Sequence, residues 1–572
     1  MAYTRRFPGG LACTALLAAL ACGALAEPPA APTWEEDLAK AKVILDGPPA
    51  DAGAALQAVR SLTRWAGTHP GDLLDFALPV LARHSDPNLP GVVANLIRVM
   101  RAPEPVGRLL EAAREGNATL RRNLFPGLVT NEAPAIAEAL GALLDRETED
   151  DLRGILCDAL ALRKPPGALD RILVLVREAE SPAARASAIG ALGAIGSAAN
   201  GGDLLPFLAS RWRSRGEGVS CAALDALVRL EIPLERSAVA PFLRSDASFE
   251  DALAGTRAVV LLPVEDRLDL LRGLPREDAW QIRLAGVGVL GVTPDRGAVD
   301  LLLEMLDREK ERRVSGEIVA ALERLTHVHF NPDRAADSWP PYWRANRETF
   351  VFPEGPAPGG APEGAAGGVQ TVSTFYGLPV DTDRPVFVID ISGSMSASQG
   401  AAAREGKNRL DIAKEQLRAV VQALPRDAVF NLVVFESGVR AWRPGMTPAT
   451  PENKATCLAF IAALTPMGAT NLMGGLDEAF GITSARIADG RGQPDYTVSG
   501  REASSLPDTV YLLSDGAPSA GRVTDPAGIL REVARLNRSR GIRIHSLSIG
   551  ADSPFLRDLS SANHGTFRHI AD

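Results

Sequence analysis

Val386-Phe387-Val388-Ile389-Asp390-Ile391-Ser392-Gly393-Ser394-Met395 runs four apolar residues straight into a carboxylate and two hydroxyls at alternate positions. A run that is apolar on both faces reads as a strand buried inside a parallel sheet. The strand is expected over 385–391, and similar runs follow at 429–436, 509–513 and 542–549. Amphipathic stretches at 409–424, 451–464, 472–482 and 526–541 alternate with them. This alternation predicts an α/β doubly wound, mainly parallel sheet, Rossmann-like, with helices on both faces. Ligands of such sheets bind beyond the carboxyl ends of the strands, so the residues after each run are the ones that carry chemistry.

After the first run stand Asp390, Ser392 and Ser394, in a turn eased by Gly393. The 509–513 run ends in Ser514-Asp515-Gly516, a second carboxylate, and Gly468-Ala469-Thr470-Asn471 offers a third hydroxyl ahead of a helix. Hard oxygen ligands, few carboxylates and room for water suit Mg²⁺, or Mn²⁺ in its place. No Cys or His is near these loops in sequence, which disfavours soft-ligand metals. One D-x-S turn alone would read as ordinary capping; three such loops in order carry the metal reading.

Upstream the pattern is helical and repeats. Apolar helical stretches begin near 90, 118, 149, 183, 219, 250, 279 and 312, in steps of 28 to 36 residues. Within a unit, Leu152, Ile155, Leu156 and Ala159 share one helical face, as do Val314, Ile318, Leu322 and Leu325. Short units that cannot bury their own apolar faces gain a continuous core by stacking, which predicts an α-solenoid. An irregular helical bundle is the other arrangement the pattern allows. The Trp339/Tyr342/Trp343 cluster is expected to cap the last helix pair.

Residues 351–370 hold six Gly and four Pro and almost no large apolar group, so they read as a linker. As a flexible coil the linker spans roughly 25 Å on average. The two halves are then loosely coupled unless their surfaces dock. The expected organisation is a signal peptide at 1–26, a helical repeat domain at 34–349, the linker at 350–371 and the α/β domain at 372–572.

The signal segment is read from Arg5 and Arg6, an apolar stretch at 11–26 and the small-residue ending Ala24-Leu25-Ala26. Its removal would take the net charge from −9 to −11 and leave Cys157, Cys221 and Cys457. Lipidation at Cys22 is the alternative fate of this segment, and membrane attachment is expected only in that case. The chain is thus expected to be exported, to the periplasm, the cell surface or the medium. Three widely spaced cysteines make neither a disulfide framework nor a zinc site. Hydrophobic and charged shares of 46% and 23% exclude wholesale disorder. The acidic balance excludes a nucleic-acid role resting on bulk charge.

Asp390-x-Ser392-x-Ser394, Thr470 and Asp515 resemble, in order and context, the metal-ion-dependent adhesion site of von Willebrand factor type A domains. The helical units over roughly residues 90–330, of which 183–193 is an example, resemble HEAT-type repeats, and the resemblance to the A-type domain covers about residues 372–572. It implies that Ser392 and Ser394 bind the metal directly, that Thr470 does so directly or through water, and that Asp390 and Asp515 act largely through water. It also implies an acidic group from a protein partner as the completing ligand, with the helical array as a second interaction surface. The expected function is therefore non-enzymatic: an exported binding or scaffold protein. The competing reading is a metal-dependent hydrolase or phosphatase with Asp390 as nucleophile. Enzymes of that layout, resembling haloacid dehalogenases, place a second Asp two residues on, where this chain has Ser392. No G-x-x-x-x-G-K-[ST] loop is present either.

Overall fold

The computed structural model describes residues 32–45, 52–86, 88–213, 218–331, 334–353, 374–398, 406–481 and 507–570. The expected signal segment, and most of the expected linker, lie outside these residues.

Eight helices of the N-terminal half form a row in which each packs on the next. They are α1 (Leu89–Arg98), α2 (Ala118–Leu128), α3 (Asp150–Arg163), α4 (Pro182–Ile195), α5 (Val219–Arg229), α6 (Phe249–Ala258), α7 (Trp280–Leu290) and α8 (Arg312–Thr326). Helices such as Pro103–Glu115, Pro134–Arg146 and Ala168–Glu178 form a second layer beside them. This is a helical solenoid, as the periodicity predicts. The starts follow local chemistry. Asn117 accepts the amide of Leu120, Ser181 that of Ala184 and Ser248 that of Asp251, each answering an amide that the first turn leaves without a partner. Val314, Ile318 and Leu322 are fully buried along one face of α8, each contributing about 2 kcal/mol by leaving water. Trp339 and Trp343 close the end of the array: Trp339 packs edge-on against Phe330 and Tyr342, and Trp343 donates to Asp300 at 2.7 Å.

The C-terminal half is a sheet of strands β1 (Pro385–Asp390), β2 (Val429–Phe435), β3 (Val439–Ala441), β4 (Thr509–Ser514), β5 (Arg543–Ile549) and β6 (Phe567–Ile570). Their order is 3-2-1-4-5-6, with β3 the antiparallel edge and Thr447–Pro448 pairing beside β2. The order reverses between β1 and β4, which makes the crevice at their carboxyl ends the expected ligand site. Helices α9 (Arg409–Ala423) and α10 (Pro451–Ala462) cover one face, over Phe387, Ile389, Tyr511 and Leu513. Helices α11 (Leu472–Gly481), α12 (Pro526–Asn537) and α13 (Pro554–Ala562) cover the other, over Val386, Val388, Val510 and Leu512.

Of the two outcomes the linker allows, loose coupling or docked surfaces, the structure has the second: the two halves dock. Beyond α8, Arg384 pairs with Glu311 at 2.9 Å, and Arg312 with Asp383 at 3.2 Å. Arg543 is held by Glu317 of α8 at 2.6 Å and by Asp381 at 3.2 Å. Arg538 pairs with Asp225 of α5 at 3.3 Å. Trp280 of α7 lies under the guanidinium groups of Arg313 and Arg384. At the far end, Thr524 donates to the Gly91 carbonyl of α1 at 3.0 Å. The helical row that the sequence offered to a second protein is thus taken, along much of its length, by the chain's own α/β half. Opposite charges 71 to 313 positions apart in sequence leave no local pattern that would announce this.

Cys157, Cys221 and Cys457 are free and buried, and burial pushes the Cys157 and Cys457 thiols up to about 12. They are inert core residues.

His545 on β5 is buried, stacked on Tyr511, and its Nδ1 accepts the Thr566 amide at 3.0 Å. Burial, and then Arg543 and Arg313, push its pKa down to about 3. The unfolded chain therefore takes up this proton first. The stability contribution is whole above about pH 6.5 and is lost as pH falls toward 3, by at most about 1.4 kcal/mol per pH unit. Urea titrations at pH 7, 6 and 5 should show a shallower fall for His545→Phe than for wild type; equal slopes would remove His545 as the cause.

Candidate metal site

Asp390 closes β1 and is fully buried. Its Oδ1 accepts the Ser392 amide at 2.8 Å and its Oδ2 the Ser514 hydroxyl at 2.6 Å. Burial raises its pKa to about 6, against the opposing pull of these hydrogen bonds. The chain after β1 turns tightly over Gly393–Ser396, which brings Ser392 Oγ and Ser394 Oγ to 3.0 Å. Ser394 Oγ in turn donates to Asp515 Oδ1 at 2.7 Å, from the end of β4. The crevice at the strand-order reversal therefore collects two carboxylates and two hydroxyls.

Thr470 enters on the loop ahead of α11. That loop is tied to the first by the Gly393 amide, which donates to the Gly468 carbonyl at 3.1 Å. The Thr470 amide donates to Ser519 Oγ at 3.0 Å, and its carbonyl accepts the amides of Ser519 and Ala520. All five residues singled out in the sequence thus stand on three adjoining loops at one end of the sheet.

The donor set fits a hard divalent ion. An octahedron with bonds of about 2.1 Å has edges of about 3.0 Å, the separation found between the two serine oxygens. Among the described residues no group of three or more His, Cys, Asp and Glu could hold a metal.

Sequence reasoning missed two partners. Arg409, the first residue of α9, donates to Asp515 Oδ2 at 2.8 Å, with the Asp515 side chain fully buried. Ser514 holds Asp390 from the next strand. The Ser514 signal was present beside Asp515. The Arg409 contact spans 106 positions and has no sequence signal. His545 sits on β5, outside this crevice, and His569 bonds the Gly550 carbonyl.

The domain is a doubly wound sheet with hydroxyl and carboxylate side chains gathered at the strand-order reversal. Residues 384–569 match the family model of the von Willebrand factor type A domain, and residues 137–228 that of HEAT repeats. The chain thus carries a von Willebrand factor type A match in its C-terminal half and a HEAT-repeat match within its helical half. Among curated proteins, inter-alpha-trypsin inhibitor heavy chain H1 of Mesocricetus auratus is 35% identical over 187 residues, 32% of this chain and 18% of its own length. Heavy chain H3 of the same species is 28% identical over 213 residues, 36% of this chain and 22% of the relative. Heavy chain H4 of Homo sapiens is 30% identical over 197 residues, 34% and 19% respectively. The chain thus spans about a fifth of the length of these relatives. A solved von Willebrand factor type A structure from Catenulispora acidiphila is 21% identical, covering 33% of this chain and 39% of that one at a TM-score of 0.25. The hypothetical protein BatB from Bacteroides thetaiotaomicron is 13% identical, covering 33% and 90% at a TM-score of 0.23.

Proposed function

We propose that this is an exported, non-enzymatic binding or scaffold protein whose A domain holds Mg²⁺ or Mn²⁺. Ser392 and Ser394 bind the ion directly, Thr470 directly or through water, and Asp390 and Asp515 largely through water. The segments are those read from the sequence, with a signal peptide at 1–26 and the A domain at 372–572. The carrying observation is the convergence of Ser392, Ser394 and Asp515 within hydrogen-bond distance at the strand-order reversal.

Charge explains why such a site binds a partner. Two carboxylates act on the ion at a distance, and Arg409 neutralises part of Asp515. The ion keeps net positive charge and an open position, which an Asp or Glu of a protein partner completes. The hydrolase reading needs a free nucleophilic carboxylate. Both oxygens of Asp390 are engaged by the Ser392 amide and the Ser514 hydroxyl. The heavy-chain relatives share only the A-domain part of this chain, so their whole-protein roles are not carried over. Among the described residues no helix is long and apolar enough to cross a membrane.

Mg²⁺ and Mn²⁺ titration calorimetry on the full chain tests the site. Wild type should bind one ion, and Asp390→Ala and Ser394→Ala should weaken binding at least tenfold. Ser394→Ala removes only a hydroxyl and is expected to melt near wild type. No ion bound by wild type, or unchanged binding in both variants, would overturn the proposal. An acidic peptide partner should be captured with Mg²⁺ and released by EDTA.

A further inference from the structure

A second cavity lies between the helical row and the A domain, near the amino end of β5 and so away from the metal-site crevice. It has a volume of about 520 Å³, within the range of small-molecule sites. Helices α6, α7 and α8 form most of its wall, and Gly541 and His564 close it from the A domain.

Its charges are unbalanced. Arg257, Arg313 and Arg324 all line it. Elsewhere along this interface Arg312, Arg384, Arg538 and Arg543 each have a carboxylate within 3.3 Å. Among the described residues these three have no carboxylate within salt-bridge distance, although Asp225 acts on Arg257, and Asp508, Glu317 and Asp381 act on Arg313, from farther away. Arg257 donates to the Arg538 carbonyl at 2.7 Å, and Arg313 donates to the Asp508 carbonyl. Arg313 is 2% exposed, and its Nε is buried with no acceptor. Glu317, the acid in the lining, is already claimed by Arg543 at 2.6 Å. Burial, and then Arg543, push the Arg313 pKa down to about 10, and burial also lowers those of Arg257 and His564. Buried cations without a direct ion-pair partner are costly, and an anion among them relieves that cost. Val260, Leu284 and Val287 supply an apolar wall beside the arginines.

We propose that this cavity binds a small organic anion, a carboxylate or phosphate head on a short apolar body, with the head taken by Arg257, Arg313 and Arg324. Because the lining comes from both halves, the bound anion fastens the A domain to the helical array.

Octanoate, octyl phosphate and neutral octanol are the probes, titrated into the full chain in EDTA so that the metal site cannot take the head group. At least one of the two anions should bind and raise the melting temperature, and octanol should do neither. The better anion identifies the head group. Arg257→Gln and Arg324→Gln should each weaken binding roughly tenfold, the loss expected for one charged hydrogen bond. Arg324 is exposed at the rim, so its variant keeps the fold. Failure of both anions to bind wild type, octanol binding as tightly as the anions, or unchanged affinity in both variants would overturn the proposal.

Discussion

Replacing Arg543 with Met is expected to destabilise the full chain by about 3–5 kcal/mol, the usual cost of stripping a buried charge of its counter-ion. Arg543 is 4% exposed and stands at the start of β5, between Asp381 of its own domain and Glu317 of the helical array. Without the guanidinium, the buried Asp381 and the half-buried Glu317 lose the cation that stands between them. Desolvation penalises both, and the nearest relief is separation of the halves. Urea unfolding should therefore show a lower midpoint, and limited proteolysis should cut between the halves sooner than in wild type. The double variant Arg543→Met/Glu317→Gln should recover part of the loss, because the uncompensated array charge has gone with its partner. A single variant within 1 kcal/mol of wild type, on the order of an exposed ion pair, would mean that the halves are not held together here.

Gly91→Ala should also destabilise, and its sign discriminates. In a helix open to solvent, Gly to Ala stabilises by up to about 1 kcal/mol. Here a Cβ on Gly91 would lie 1.9 Å from the Gly521 carbonyl oxygen, backbone against backbone. Gly521 cannot retreat easily: its φ is +102°, and its own Cβ position is filled by the Asn471 side chain at 2.0 Å. The clash is thus expected to cost about 1–3 kcal/mol or to lift α1 off the A domain. The loop it presses on carries Ser519 and Ala520, which hold the backbone of Thr470. Mg²⁺ affinity measured on Gly91→Ala would then report whether the helical array sets the position of Thr470. A neutral or stabilising Gly91→Ala would mean that this end of the array stands free.

The helical row was legible because each helix declares itself within a dozen residues. Expected starts near 118, 219 and 312 coincide with the observed Ala118, Val219 and Arg312, and the others fall within one residue. The central strands β1, β2 and β4 were legible because they are largely apolar on both faces, whereas β5 alternates polar with apolar residues and was read from its isoleucines and leucine. The edge strands β3 and β6 and the helix α13 were not read. Edge strands are short and half-exposed, so their composition differs little from that of loops.

By itself, the sequence determined the two architectures and the five residues of the candidate metal site, since strand ends and loop motifs are local. Tertiary structure decided the rest. It brought Arg409 to Asp515, set the helical row against the A domain, and lined the cavity between them with three arginines that have no direct ion-pair partner among the described residues. The physical reason is that charge pairing acts through space. A guanidinium finds its carboxylate only after packing has chosen which faces meet, and no periodicity along the chain records that choice.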